Sequence, residues 1–230
     1  MPVGVPKVPF QVDEEEDATW IDLYELLSRE RALLLGKKID YEVSNRIIGI
    51  MVYLNMEREE DEFHLFINSP GGSVMPGIAI FDTIGYMTSG VHTICIGQAA
   101  SMASLILSGG HFNKRSAFPN ARVMIHQPLA SFFDGNSLDH SWEIDELLEL
   151  RNMIVNMYVE TTGKPATTIY LDLERDDLLL PTEAISYGLI DSISHDPFGF
   201  LEDHRMRRPP IPRRNRENGE PEPSTCEDFI

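Results

Sequence analysis

VHTICIGQAASMASLILSGG, residues 91–110, passes from a β-branched apolar run into a run of small residues. Residues 91–96 have the composition of a buried strand, and 101–108 that of a small-residue helix, with GQAAS (97–101) between them. A strand that gives way to a helix within a few small residues is the junction of a parallel α/β sheet. Working outward, the same grammar recurs. HLFINS (64–69) reads as a strand that stops at Pro70-Gly71-Gly72. A helix follows over about 74–88, with Val74, Ile78, Phe81 and Ile84 on one face. RALLLG (31–36) reads as a short buried strand. In DYEVSNRIIGIMVYLNMERE (40–59), Val43, Ile47, Ile50, Met51 and Leu54 recur at helical spacing. ARVMIH (121–126) is a further strand. The order predicts a mainly parallel sheet with crossover helices, and such sheets place their sites at the carboxyl ends of the strands. Those ends are NSPGG (68–72), GQAAS (97–101) and HQP (126–128).

The flanks have a different character. Four prolines or glycines in MPVGVPKVP, then the acidic run Asp13–Asp17, predict a flexible arm over 1–17, followed by a helix at about 18–30 capped by Asp17 or Thr19. A long helical pattern spans 141–161. Its second half, Met153-Ile154-Val155 with Met157-Tyr158-Val159, is apolar around most of its circumference, so it needs more than one packing partner. Either it threads the core or it meets another subunit. A helical stretch at 181–187 and a short strand around 189–193 close the domain, taken as 18–195. The Pro- and Arg-rich residues 196–230 are expected to be disordered.

Composition narrows the function. The net charge is -18, and residues 201–230 hold six arginines against seven acidic residues, so the acidity lies in the body. Such a body repels phosphate backbones, which argues against nucleic acid. No apolar run reaches the roughly 18–20 residues of a membrane span. The opening lacks a charged-then-apolar signal, which points to an intracellular protein. Two cysteines make no disulfide framework: Cys95 reads as a buried strand residue and Cys226 as a tail thiol. Metal-ligand spacings and a GxxxxGK[ST] phosphate loop are absent, so neither a metal nor a cofactor is expected, and the chain is not expected to hydrolyse ATP itself.

Ser101, at the strand-to-helix junction, has the setting of a nucleophile. Serine attack on an amide needs a base, an acid to orient that base, and donors for the developing oxyanion. The Met102 N–H, directly after Ser101 and in the first helical turn, is one donor; Gly71 or Gly72 supplies another. Ser69, Ser73, Ser104 and Ser108 share the composition, but Ser69 precedes Pro-Gly-Gly and reads as turn chemistry. His126 is the base candidate, because it ends a strand and an imidazole titrates near neutrality. His64 and His92 sit at strand starts, the wrong end. His111, His140, His195 and His204 border helices or the tail. For the acid, Asp172, Glu174, Asp176 and Asp177 all remain open on spacing alone.

FINSPGGSV (66–74), GQAASMAS (97–104), RVMIHQP (122–128) and ERDDLLLPTEAISYGLIDSI (174–193) together resemble the Clp protease proteolytic-subunit family, over about residues 18–194. The opening PVGVPKVPF resembles its plastid-encoded members. The resemblance implies a crotonase-like α/β fold and a serine endopeptidase with Ser101, His126 and Asp176 as triad. It assigns the oxyanion donors to the backbone amides of Gly72 and Met102. It also implies two stacked heptameric rings of related subunits, interlocked by a handle helix at about 139–161, with residues 1–17 lining the axial pore. An Hsp100 ATPase of the ClpC type would spend the ATP and feed unfolded proteins, in the chloroplast stroma. LASFFDGNSLDHSW (129–142) departs from the expected form, which keeps Asp177 in play. Two other readings are an idle structural subunit and a crotonase-type acyl-CoA hydratase or isomerase.

Overall fold

The computed structural model describes residues 4–10, 19–58, 60–128, 137–194, 213–214 and 221–222. The chain divides into two compact units, residues 1–27 with 196–230, and residues 28–195. In the first unit, β1 (Lys7–Phe10) pairs antiparallel with β2 (Thr19–Asp22). The helix expected from residue 18 therefore begins later, as α1 (Leu23–Arg29), because residues 19–22 are held in the hairpin ladder. Its start is marked by Asp22, whose carboxylate accepts from Tyr24 N–H at 3.0 Å. The acidic run at 13–17 and most of the Arg-rich tail lie outside the described residues.

The second unit carries a seven-stranded sheet. β3 (Ala32–Leu35) leads into α2 (Tyr41–Glu57), whose N-cap Asp40 accepts from Val43 N–H at 2.8 Å. Such a cap is worth about 1 kcal/mol. β4 (Phe63–Ser69) follows, then α3 (Val74–Tyr86), β5 (Val91–Ala100) and α4 (Met102–Ser108). Next come β6 (Arg115–Ala117), β7 (Arg122–Met124) and the 26-residue α5 (Ser137–Thr162). The chain continues through α6 (Ala166–Asp172), β8 (Leu178–Leu179), α7 (Pro181–Tyr187) and β9 (Ser192–Ile193). The main path is β3-β4-β5-β6-β9, parallel throughout, and β7 branches from β5 to meet antiparallel β8. This is the mostly parallel α/β fold of the Sequence analysis, with β6, β8 and α6 added.

β5 is longer than the VHTICI run because it serves two partners. Thr93–Cys95 pair with β6, and Gln98–Ala100 pair with β7. Between those segments the ladder to β4 slips, with Ile67 beside Cys95 but Ser69 beside Ala99. The extra residues form a bulge that bends the strand toward its second partner. Asn68 fills it, its side-chain oxygen accepting from Gln98 N–H at 3.3 Å.

Helices cover both faces of a core that includes Leu35, Met51, Leu65, Ile67, Ile80, Leu105 and Ile106, all wholly buried. Cys95 is buried among them, as its strand reading anticipates. Beside this core, Arg115 and Asp191 make a bidentate ion pair at 2.6 and 3.0 Å, and Arg115 also donates to the carbonyls of Thr161 and Gly188. One guanidinium thus joins the ends of α5 and α7 to β6. The apolar circumference of α5 resolves into two roles. Ile154, Val155 and Tyr158 are buried in the core, while Ile144, Leu148 and Met153 remain about half exposed.

Candidate active site

Three strand ends converge at the Gly-rich turns. β5 ends at Ala100, and Ser101 follows as the N-cap of α4 with φ 54° and ψ -125°. A positive φ is costly for a residue with a Cβ, on the order of 1–3 kcal/mol, and such strain concentrates at functional positions. Backbone bonds on both sides hold Ser101 there. Its N–H donates to Met124 O at 2.9 Å, and its carbonyl accepts from Ser104 N–H at 2.9 Å. The Met102 N–H follows at the first helical position, where no intrahelical acceptor exists.

The turn after β4 lies against this residue. Gly71 has φ +89°, and a Cβ there would stand 2.5 Å from Ala100 O and 2.9 Å from Ser101 Cβ. Ser69 is wholly buried, donating to Lys37 O at 2.7 Å and accepting from Gly71 N–H at 3.1 Å. It is turn chemistry, as its sequence context suggested. The Ile39 backbone brackets Gly72, its N–H donating to Gly71 O and its carbonyl accepting from Ser73 N–H, both at 2.9 Å. The N–H of Gly72 takes no part in this bracket, and a Cβ on Gly72 would overlap the Ile39 backbone. Pairing of Ile39 with this turn was not visible in sequence; the KKID stretch carries no turn or strand pattern of its own.

The base candidate and its acid are set by β7 and β8. Their antiparallel register pairs Val123 with Leu179 and Met124 with Leu178. Continued outward, it places Asp177 opposite Ile125 and Asp176 opposite His126. Directly opposed residues share a face. The distance agrees, with His126 Nε2 2.9 Å from Asp176 Oδ1. The other acids are engaged elsewhere: Asp172 accepts from Tyr187 O–H at 2.9 Å, and Glu174 pairs with Arg151 at 3.0 Å. Asp177 shares its register with buried Ile125. The Asp176 side chain is 71% exposed, so an ion pair alone would hold it weakly. Its backbone is fixed instead: Gln127 N–H donates to Leu173 O at 3.0 Å, and Leu173 is wholly buried. The signal for β8 was the LLLP run (178–181), too short for a strand to be read from it.

The remaining described histidines lie at the opposite, amino ends of the strands. His64 and His92 stack at 4.8 Å between ring centroids, His92 pairs with Glu62 at 2.6 Å, and His111 accepts from Val91 N–H at 3.1 Å. His140, His195 and His204 are not among the residues whose side chains are described. Among the described residues no cluster of His, Cys, Asp or Glu could hold a metal ion, and no helix is long and apolar enough to cross a membrane.

The chain has relatives in sequence. The family model for Clp protease matches residues 14–197. A protein of Nicotiana tabacum named ATP-dependent Clp protease proteolytic subunit is 53% identical over 194 residues, 84% of this chain and 99% of its own length. A protein of that name from Acorus calamus is 51% identical over 201 residues, 87% of this chain and 100% of its own. Another from Chara vulgaris is 51% identical over 197 residues, 86% and 90% respectively.

Proposed function

The chain belongs to the Clp protease family and is a serine peptidase of that family, and from that premise we propose that Ser101, His126 and Asp176 are its catalytic triad. The observation that carries the assignment is the β5-β7-β8 ladder: it sets His126 Nε2 2.9 Å from Asp176 Oδ1 on the strand next to the one that ends at Ser101. Ser101 Oγ attacks the scissile carbonyl carbon, and its proton passes to the His126 ring nitrogen that does not face Asp176. The carbonyl oxygen becomes an oxyanion between the backbone N–H groups of Gly72 and Met102, each donor being worth about 10²–10³ in rate. Collapse expels the amine, which takes the proton from His126. Water, deprotonated by the same imidazole, then releases the acyl group. Asp176 stays ionised and holds the tautomer.

Family membership also brings oligomeric rings that work with an ATPase partner. We assign this chain to stacked heptameric rings containing other proteolytic subunits, fed with unfolded proteins by an Hsp100 ATPase of the ClpC type. Half-exposed Ile144 and Leu148, four residues apart on one face of α5, support a ring-to-ring contact, since exposed apolar side chains are unfavourable in water. Relatives from plants and a green alga support a chloroplast setting, and the stroma is the compartment we propose.

One observation favours a second reading. The Ser101 hydroxyl makes no hydrogen bond among the described residues, which suits an idle ring member. A fluorophosphonate serine probe on the assembled, ATPase-bound complex decides between them. Adduct on Ser101 that disappears in His126→Ala is expected. An assembled complex with no adduct on this chain would leave it a structural subunit.

A further inference from the structure

Next to Ser101 lies a buried polar pair that the triad does not include. Ser104 on α4 and Tyr158 on α5 are both essentially inaccessible, and their hydroxyl oxygens are 2.9 Å apart. Ser104 Oγ is also 2.6 Å from Ser101 O and 2.7 Å from Met124 O, while Tyr158 Oη stands 3.4 Å from Ser101 O. Met124 O is the same carbonyl that accepts the Ser101 N–H.

The geometry points to Ser104 and Tyr158 as positioning residues that fix the backbone of Ser101 against the strand carrying His126. The inference rests on Ser101 being the nucleophile. Each hydroxyl has one proton, and two carbonyl oxygens converge on them. Ser104 O–H donates to Met124 O at 2.7 Å, while Tyr158 O–H is shared between Ser104 Oγ at 2.9 Å and Ser101 O at 3.4 Å, so the two protons reach both carbonyls. Burial raises the Tyr158 phenol above its ordinary value, so its proton stays in place through the neutral range. The pair therefore acts as a fixed two-donor clamp. One carbonyl belongs to the nucleophile, at the strained end of β5. The other belongs to Met124, two residues before His126 on β7. Holding both from one point fixes the spacing of two strand ends that a positive φ would otherwise tend to relax. The clamp also roots the nucleophile in α5, through a buried residue little more than one turn from half-exposed Met153.

The discriminating variant is Tyr158→Phe, which removes one oxygen and keeps the ring in its slot. In the assembled complex we expect kcat on a short fluorogenic peptide, and the second-order rate of fluorophosphonate labelling, to fall together by about five- to tenfold, as a displaced reacting atom requires. KM should stay within about twofold, since no substrate contact is lost. Ser104→Ala should do the same, and the double variant should cost no more than the larger single change, because the two act through one chain of bonds. Labelling at the wild-type rate in folded, assembled Tyr158→Phe would overturn the inference. So would additive losses. If Tyr158→Phe does not assemble, Ser104→Ala carries the measurement, and a smaller labelled fraction at an unchanged rate would show a merely structural role. Ser101→Ala is run alongside: peptide hydrolysis surviving there would defeat the nucleophile assignment itself, an outcome separate from any result at Ser104 or Tyr158.

Discussion

Gly71 backs directly onto Ser101, with no room between them for a methyl group: a Cβ at 71 would lie 2.9 Å from Ser101 Cβ and 2.5 Å from Ala100 O. Both obstacles are backbone or Cβ atoms, which have no rotamer to escape into. Gly71→Ala should therefore move the nucleophile or the turn beside it, and its φ of +89° adds strain of its own. We expect kcat/KM to fall by about 10² or more, as a misplacement near 1 Å produces. Peptidase activity of the folded variant within about threefold of wild type would contradict the close approach.

Asp176 and Asp177 separate by register. Asp176→Asn keeps the shape but removes the charge that holds the His126 tautomer, so kcat should drop by about 10³–10⁴. Asp177→Asn, beside Ile125 in the ladder, should remain within about threefold of wild type. Steady-state peptidase assays of the two variants side by side test the extension of the ladder. Equal losses would place the acid elsewhere.

The Arg115–Asp191 pair predicts an acid limb of stability. Burial by itself would raise the Asp191 carboxyl, but the bonds from Arg115 outweigh it and the group lies below its ordinary value. A depressed carboxyl stabilises the fold above the unfolded-state value near 4, and that contribution fades as pH falls through the folded value. Asp191→Asn leaves the Arg115 charge, only 9% exposed, without its partner, and should cost about 3 kcal/mol at pH 7. Denaturant melts should show the gap to wild type closing below about pH 4. A gap independent of pH would rule out the charge as its source.

Cys95 has no exposed surface, and burial raises its thiol to about 11. Only the thiolate reacts readily, so iodoacetamide at pH 8 should leave Cys95 unmodified in the native protein and alkylate it on unfolding. Peptide mapping of the adduct reads this directly, and rapid native alkylation at Cys95 would mean that β5 opens.

How far the sequence carried can be argued from single residues. The strands HLFINS and VHTICI announced themselves because central parallel strands are apolar on both faces, and RALLLG, at the sheet edge, through its run of leucines. The proposed Ser101 and His126 stood out because each lies just past a strand's carboxyl end, where such folds put chemistry. The partner switch in β5 was not, since GQAA has no strand periodicity and its pairing comes from a distant segment, Arg122–Met124. Nor could spacing rank four acids within six residues. Asp172, Glu174 and Asp177 are set aside by Tyr187, by Arg151 and by the facing Ile125. Those partners lie far off in the chain or across a two-residue strand. The pairing of β1 with β2 was missed because each strand is only four residues long, and a four-residue strand is indistinguishable from a helix start on composition.

The β7–β8 ladder also has a temporal meaning. β5 and β7 leave the ribosome well before Leu178–Leu179, the pairing that swings Asp176 to His126. A nascent chain stopped anywhere short of residue 176 thus holds the proposed nucleophile and base without the proposed acid. On the proposed triad, the site is complete only once this closing segment has been made.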